Sequence, residues 1–450
     1  MPLVRAEEER VARDVDALPL TTSGLRRDLG TLESYATLLG ILIGAGIFKV
    51  TSDAWALTGP SVILAYLVLA PMILATSVAY SVFLSTPLGR APGGEYTHIS
   101  RTFGGLGLAF LGAWLKIISY TGALAYLASA FADYVLQLTG GAMHMNIAIA
   151  SLVAFYAIHV AGVRWFGRIQ VWMCALLGVS LVVLIVPGLF AIHAANYRPF
   201  FTHGARGFLA AMPPLFFAYA GFESLAQTAG EVRDSTTRLP RIFIRGISAT
   251  MLIYLLMSVV AFGVLPASRL KLATAPMAEA GAVYLPVGAA AMVTLGAIMA
   301  VATSLNATML VPSRIAIMLA EDRVAPRWLG RVSPRTGTPI VGLTLTLAGA
   351  LALLVTGRVS LALNIAVFAL VALYLLHSVA LLLLPSRNPK LFAEVTVAIP
   401  LWVQRVTAIV SILAMAILLV QMVVHDVTTL ALAAGWTIVG AALYAFGRTG

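Results

Sequence analysis

The sequence predicts an all-α polytopic membrane protein, and three observations lead to this fold class. Hydrophobic residues make up 60% of the 450 residues, charged residues make up 10%, and long apolar stretches alternate with short polar connections. A soluble domain carries about 25% charged residues, whereas a helix crosses the roughly 30 Å of hydrocarbon with about 20 apolar residues. The chain therefore accommodates about a dozen spanning helices, and nothing in it indicates a separate soluble domain.

Twelve apolar segments follow one another along the chain, and each is long enough to cross a bilayer as a helix. Residues 1–30 precede them as a polar tail, which we do not expect to be a cleavable signal because it has no apolar core. An even number of spans places both termini on one side of the membrane. The spans are predicted near residues 31–57, 61–83, 105–138, 143–161, 169–193, 207–230, 242–264, 283–319, 338–356, 360–384, 402–423 and 428–446.

The basic residues indicate which side that is. Of the 29 Lys and Arg residues, 22 belong to the tail and the even-numbered connections, five belong to the odd-numbered connections, and Lys49 and Lys116 lie within spans. Because Lys and Arg concentrate in cytoplasmic loops, we expect a cell-membrane protein with both termini in the cytoplasm. This topology also accounts for the net charge of +11, and no nucleic acid partner is expected because the basic residues do not cluster on one amphipathic stretch.

Two of the predicted spans contain stretches that can interrupt a helix at mid-depth. The first span contains Gly40-Ile-Leu-Ile-Gly-Ala-Gly-Ile-Phe48, and the sixth contains Ala218-Tyr-Ala-Gly-Phe-Glu223 after Pro213 and Pro214. Unwound backbone is tolerated at this depth only where it lines a cavity, so two breaks predict a shared polar site. Their separation suits an inverted repeat of five helices plus five, followed by two extra helices. For the first break alone, close helix packing through small residues is the alternative.

The two breaks offer backbone groups of opposite polarity. Amides freed at the first break lie at the start of an outward half-helix, where the helix dipole favours an anion such as a carboxylate. Carbonyls freed at the second break lie at the negative end of a half-helix, which favours an ammonium group. One break for each charge of a zwitterion predicts an amino acid ligand, although a flexible amine could use the second break alone. The predicted substrate-binding residues are Ile43, Gly44, Ala45, Gly46, Ile47, Phe217, Ala218, Tyr219, Ala220 and Gly221.

Several motifs occur together in an order that resembles the amino acid-polyamine-organocation superfamily. They are Gly44-Ala-Gly-Ile-Phe48, Pro92-Gly-Gly-Glu-Tyr96 with Phe103-Gly104, Phe217-Ala-Tyr-Ala-Gly-Phe-Glu223, Leu239-Pro-Arg241, and Arg314 with Glu321-Asp322 and Pro326. The resemblance implies the leucine-transporter-type fold, in which helices 1 and 6 are broken and substrate is held at both breaks. It also implies a ten-helix inverted-repeat transport core over residues 31–384 and two additional C-terminal transmembrane helices over residues 385–450.

The resemblance further implies a secondary active transporter, either symporter or exchanger, that carries L-amino acids by alternating access. A neutral amino acid is the expected substrate, and a polyamine or another organic cation is the alternative. A membrane-embedded enzyme is less expected because the chain lacks histidine or carboxylate clusters with ligand spacing. A channel is less expected because two broken helices and one intramembrane carboxylate suit an occluding carrier. We expect no cofactor, a coupling ion that is H⁺ or Na⁺, and a monomer or homodimer in the lipid bilayer.

Three residues beside the breaks are predicted to act in gating or proton coupling. A carboxylate within a span, here Glu223, usually faces a cavity where it binds a cation or carries a proton; the alternative is a structural carboxylate that neighbouring helices hydrogen-bond. Phe222 and the other aromatic residues at the breaks can cap a substrate or simply fill the core. Lys49 could point into the outer vestibule or snorkel into a wet pathway.

The remaining intramembrane polar residues bear on the coupling ion. Lys116 lies too deep in the third span to snorkel easily and needs an acidic, carbonyl or water partner. The resemblance makes Thr303 and Ser304 a candidate sodium site, although such hydroxyls also bond to carbonyls of their own or neighbouring helices. The lysine that replaces this ion in some proton-coupled relatives is missing from residues 171–178, so the coupling ion stays open. With Cys174 as the one cysteine, an intramolecular disulfide and a thiolate metal cluster are excluded.

Overall fold

The computed structural model describes residues 24–46, 48, 51–270, 276–286 and 288–447. Over these residues the chain forms α-helices joined by short 3-10 turns, and its one β-type pairing is a parallel bridge between Leu29 and Val232. The helices are α1 (Thr31–Ala45), α2 (Thr51–Thr58), α3 (Val62–Leu84), α4 (Glu95–Phe103), α5 (Leu106–Thr139), α6 (His144–Val160), α7 (Val163–Leu189), α8 (Gly204–Ala218), α9 (Ser224–Gln227), α10 (Ser235–Val264), α11 (Ala267–Leu270), α12 (Pro276–Tyr284), α13 (Ala289–Glu321), α14 (Ile340–Val355), α15 (Val359–Arg387), α16 (Pro389–Ala393), α17 (Leu401–His425) and α18 (Val427–Gly447).

Eight helical segments in the described part of the chain are long and apolar enough to cross a membrane, and α1, α6 and α14 are shorter apolar helices. Helices that are hydrophobic on all sides belong in a bilayer or in the centre of a bundle. The prediction of an all-helical, polytopic membrane protein is therefore confirmed.

Helix α13 is the centre of the bundle. In its most apolar 18-residue stretch 89% of the residues are buried, and it packs against α1, α5, α7 and α14. The last two helices lie at the periphery, where the corresponding fractions are 28% for α17 and 17% for α18. Helix α17 packs on α3 and α15, and α18 packs on α5 and α15. The interrupted α1 therefore lies against the most enclosed helix of the protein.

The structure corrects the sequence-based reading of two arginines. The charge count assigns Arg101 and Arg314 to solvated connections, but their side chains are only 4% and 1% exposed. Each is paired with a buried carboxylate, Asp322 for Arg101 and Glu231 for Arg314. Pairing with a carboxylate distant in the sequence offsets part of the cost of burying these charges, and a count along the sequence cannot detect it.

Candidate functional site

The first span is interrupted at the predicted place. Helix α1 ends at Ala45, with non-helical angles at Gly44 (φ −13°, ψ −133°), and α2 begins at Thr51. A Cβ atom on Gly44 would lie 1.7 Å from Ser304 Oγ, and one on Gly46 would lie 2.7 Å from the Ala218 carbonyl oxygen. Glycine is needed here because the broken segment touches both α13 and the second break.

Parts of the first-break prediction lie outside the described residues. These parts are Ile47, Lys49 and the side chain of Ala45. Residues 1–23 of the predicted tail also lie outside the described residues.

The second interruption separates α8, which ends at Ala218, from α9, which begins at Ser224. Gly221 lies between them with φ +100°, a conformation that residues with a Cβ rarely adopt. Two carbonyls that the sequence predicts to be free have partners in this conformation. The Ala220 amide donates to the Phe217 carbonyl at 2.9 Å, and the Tyr254 hydroxyl is 2.6 Å from the Ala218 carbonyl.

One tyrosine of α10 joins the two breaks. The Tyr254 hydroxyl lies within hydrogen-bonding distance of the Ala218 carbonyl and also of the Leu42 carbonyl on α1. Tyr219 packs against the rings of Tyr254 and Tyr66, and its hydroxyl has no hydrogen-bond partner in the described part of the chain. The unwound segments therefore form one connected unit, which we call the broken-helix site.

A cavity of about 40 Å³ lies at the broken-helix site. At the roughly 10–15 Å³ that each water needs, it holds about three waters. No charged side chain is among the described residues that line it. They are Ile41, Gly46, Ser119, Tyr120, Ala123, Leu127, Phe217, Ala218, Ala220, Gly221, Ser304, Thr308 and Leu370.

The sequence analysis therefore identifies one side of this cavity and misses the other. Residues of both breaks reach the wall, whereas Ile43, Gly44 and Tyr219 do not line it. The missed wall comes largely from α5, an uninterrupted helix. The sequence feature that could have revealed this wall is the four-residue spacing of Ser119, Ala123 and Leu127, which places them on one helix face.

Glu223 lies directly behind the cavity wall and is completely buried. The Tyr120 hydroxyl donates to its Oε1 at 2.6 Å, while the Tyr374 hydroxyl and the Gly221 amide donate to Oε2, the amide at 3.0 Å. These bonds connect the carboxylate to α5, to α15 and to the second break. Phe222 does not line the cavity, because its ring packs against Tyr374 and Tyr80 instead.

The hydroxyls of Thr303 and Ser304 lie against the carbonyls of α1. Thr303 Oγ1 is 2.8 Å from the Gly40 carbonyl, and Ser304 Oγ is 3.2 Å from the Ile41 carbonyl. Gln170, which directly precedes the lysine-free stretch of α7, donates its Nε2 to the carbonyls of Ala36 at 3.2 Å and Thr303 at 3.1 Å. Hydroxyl, amide and carbonyl groups therefore connect α1, α7 and α13 beside the first break.

Comparison with known proteins identifies the chain. Residues 29–443 match the amino acid permease family. The chain belongs to this family. The resemblance to the amino acid-polyamine-organocation superfamily is thereby confirmed over nearly the whole permease.

Curated relatives of the permease are transporters. An uncharacterized transporter of Mycobacterium tuberculosis is 31% identical over 332 residues, which cover 70% of each chain. The D-serine/D-alanine/glycine transporter of Escherichia coli is 26% identical over 361 residues, covering 75% of the permease and 74% of the relative. The methylthioribose transporter of Bacillus subtilis is 24% identical over 396 residues, covering 83% and 84%. The permease is a multi-pass membrane transporter of amino acids or related substrates, and not an enzyme.

Lys116 of the permease has the acidic partner that its depth requires. Its Nζ lies 2.7 Å from both carboxylate oxygens of Glu95, the first residue of α4. Tyr80 also donates its hydroxyl to Glu95, and Gln227 of α9 donates its Nε2 at 2.9 Å. The chain turns at the Pro92–Tyr96 motif, with φ +101° at Gly93, and this turn brings Glu95 beneath α5.

Two further buried ion pairs accompany Lys116–Glu95. Arg314 of α13 makes a bidentate contact with Glu231, with nitrogen–oxygen distances of 2.8 and 3.1 Å. Arg101 donates to both oxygens of Asp322 at 3.2 and 3.3 Å. We call these three pairs the charged cluster. Buried carboxylates are therefore not confined to Glu223 within its span, because Glu95, Glu231 and Asp322, which lie outside the predicted spans, are buried as well.

Proposed function

We propose that this permease carries small neutral L-amino acids by alternating access, with the substrate bound at the broken-helix site. The observation that carries this proposal is the uncharged cavity wall, which both breaks and α5 supply. Backbone amides and carbonyls can meet the two opposite charges of a zwitterion without a net charge on the protein.

The same wall argues against a polyamine. A multiply charged amine needs carboxylates, since buried charges require partners. The nearest carboxylate, Glu223, already accepts hydrogen bonds at both oxygens and lies behind Tyr120. An amine or other organic cation is therefore the less favoured substrate class.

The size of the cavity favours a small side chain. Space for about three waters suits a ligand of few heavy atoms. The name of the Escherichia coli relative, which specifies D-serine, D-alanine and glycine, agrees with this size but not with the L-configuration. We retain all ten predicted residues of the two breaks as the substrate-binding set.

Twelve spans and a five-plus-five repeat remain our proposal for the topology. The eight long segments, the three shorter apolar helices and the interrupted α8–α9 segment are consistent with twelve crossings. In this arrangement residues 31–384 form the core, residues 385–450 add two helices, and both termini lie in the cytoplasm of a cell-membrane protein. The peripheral position of α17 and α18 supports that division.

Glu223 is the proposed gating and proton-coupling residue. Tyr120, Tyr374 and the Gly221 amide hold its carboxylate between α5, α15 and the second break, so a change in its protonation alters contacts of all three. We expect Glu223→Gln to abolish uptake driven by a proton gradient while leaving exchange intact. Unchanged uptake and pH dependence in this variant would contradict the assignment.

Sodium has its own candidate position at Thr303 and Ser304. The two hydroxyls and the carbonyls of Gly40 and Ile41 are oxygen ligands of the type that hard cations prefer. Uptake that requires sodium and is lost in Ser304→Ala would assign coupling to this position. Sodium-independent uptake that follows the proton gradient would assign it to Glu223.

The proposed function is tested by counterflow in proteoliposomes. Vesicles loaded with unlabelled alanine should accumulate labelled alanine transiently, because only a carrier exchanges by alternating occupancy. Leucine, arginine and spermidine in the lumen should support less accumulation. Equal accumulation with spermidine would replace the neutral amino acid by an organic cation, and absence of counterflow with every compound would contradict the carrier.

A further inference from the structure

A second and larger cavity lies away from the broken-helix site, between α5, α13, α14 and α18. Its volume is about 410 Å³, within the roughly 300–1,000 Å³ typical of ligand sites. Its wall includes Thr121 of α5, Ala316 of α13, Leu345 and Thr346 of α14, and Leu443 of α18.

The wall of this cavity suits an apolar chain. Its two threonine hydroxyls donate to carbonyls of their own helices, Thr121 to Ile117 at 2.6 Å and Thr346 to Gly342 at 2.8 Å. These hydroxyls are therefore already hydrogen-bonded and do not require a polar ligand. Leu345 of α14 and Leu443 of α18 are each 50% exposed, so the cavity opens between these helices toward the lipid.

The connection after α13 forms the rim of the cavity and carries four positively charged arginines. Val324, Ala325, Pro326 and Leu329 line the cavity, while Arg323, Arg327, Arg331 and Arg335 of the same connection are exposed. None of the four arginines forms an ion pair within the described part of the chain, and Asp322 is already paired with Arg101. Trp328 is 47% exposed in the same turn, as aromatic residues at the membrane interface are.

We propose that this cavity binds one anionic phospholipid from the membrane leaflet next to the connection after α13. An acyl chain enters between α14 and α18, and the phosphate lies at Arg323 and Arg327. Arginine suits this role because its guanidinium donates bidentate hydrogen bonds to phosphate oxygens. Basic pockets between transmembrane helices are known to hold lipid head groups. The bound chain fills the space between α13 and the peripheral α18, and the proposal does not depend on the substrate.

Native mass spectrometry of the full chain, released from detergent with phosphatidylglycerol or phosphatidylcholine, tests the proposal. The wild type should retain one phosphatidylglycerol and less phosphatidylcholine. Ala316→Phe, which fills the cavity, should lose the bound lipid, whereas Ala154→Phe, at an exposed alanine of α6, should retain it.

The head group is tested with Arg323→Gln/Arg327→Gln, since both side chains are exposed and the fold does not require them. This variant should retain the two lipids equally and weakly, while Arg387→Gln on α15 should behave as the wild type. Equal retention of both lipids by the wild type, or undiminished phosphatidylglycerol in both the cavity and the arginine variants, would overturn the proposal.

Discussion

The broken-helix site and the charged cluster share helices but are stabilised by different interactions. Hydroxyls, amides and carbonyls connect the two breaks around an uncharged cavity. In the charged cluster, by contrast, the buried side chains of Lys116, Arg101 and Arg314 each form an ion pair. The other ion pairs in the described residues, His144–Asp133 and Arg238–Asp234, are exposed.

The energetic difference between the two regions is large. Removing one partner of a buried neutral hydrogen bond costs about 1–3 kcal/mol, whereas removing one partner of a buried ion pair costs about 3–5 kcal/mol. The breaks can therefore rearrange around a substrate at low cost. Under the proposed alternating access, the charged cluster and the Leu29–Val232 bridge, which joins the segment before α1 to the segment after α9, would hold the cytoplasmic side closed.

The largest effect is expected from Lys116→Met. It leaves the buried Glu95 carboxylate without its cation, so the free energy of unfolding should fall by about 3–5 kcal/mol. Thermal unfolding in detergent measures this loss, and adding Glu95→Gln should restore much of it. Lys390→Met, at an exposed lysine of α16, is the matched control. Equal stability of the two lysine variants would show that the ion pair contributes nothing.

A smaller effect is expected from Arg314→Gln, which weakens the contact between α13 and the segment after α9. Opening on the proposed cytoplasmic side should become easier. A shift of about 1.4 kcal/mol in the equilibrium between closed and open conformations would raise the labelling rate of a cysteine at Ala226 tenfold. The measurement uses an impermeant maleimide and a Cys174→Ser background. Labelling no faster than in Arg387→Gln would remove Arg314 from the gate.

Tyr254→Phe should have a smaller effect on stability than Lys116→Met but a specific effect on binding. It leaves the buried Ala218 and Leu42 carbonyls without their shared donor, which costs about 1–3 kcal/mol. Amino acid affinity should fall because the breaks are no longer held together. Tyr197→Phe removes a comparable hydroxyl–carbonyl bond, to Val259 at 2.7 Å, away from the site. The amino acid affinity of Tyr197→Phe should equal that of the wild type. A similar loss of affinity in both tyrosine variants would indicate a general structural effect.

The smallest effect is expected at His98 of α4. Burial, and secondarily the charge of Lys116, lower the pKa of His98 to about 3. The imidazole is therefore neutral from pH 5 to pH 8 and cannot supply a titration there. The pH profile of uptake by His98→Gln, scaled to its maximal rate, should match that of the wild type. A shifted profile would show that His98 titrates in this range and would contradict a neutral imidazole.

Sequence reasoning succeeds where one segment contains the whole signal. Apolar length predicts the membrane helices, and the glycines at Gly44 and Gly221 predict both interruptions, because each break is a local property of its own span. The family resemblance follows from motifs in order.

Sequence reasoning fails where a contact depends on how distant segments pack. Glu95 reaches Lys116 because the turn at Gly93 directs α4 back beneath α5, and no periodicity encodes that reversal. The α5 wall of the cavity is missed because α5 is continuous. Arg314 is misassigned because its partner, Glu231, lies far away in the sequence, in the segment after α9.

Binding of amino acids to the purified permease tests the central claim most directly. Thermal shift with glycine, alanine, serine, leucine, arginine and spermidine should be measured for the wild type, Ala123→Phe and Ala154→Phe. Ala123 lines the cavity, so phenylalanine there fills the site, whereas Ala154 is exposed on α6. The small neutral amino acids should stabilise the wild type and Ala154→Phe but not Ala123→Phe. Stabilisation of Ala123→Phe equal to that of the wild type, or stabilisation by spermidine alone, would contradict the account.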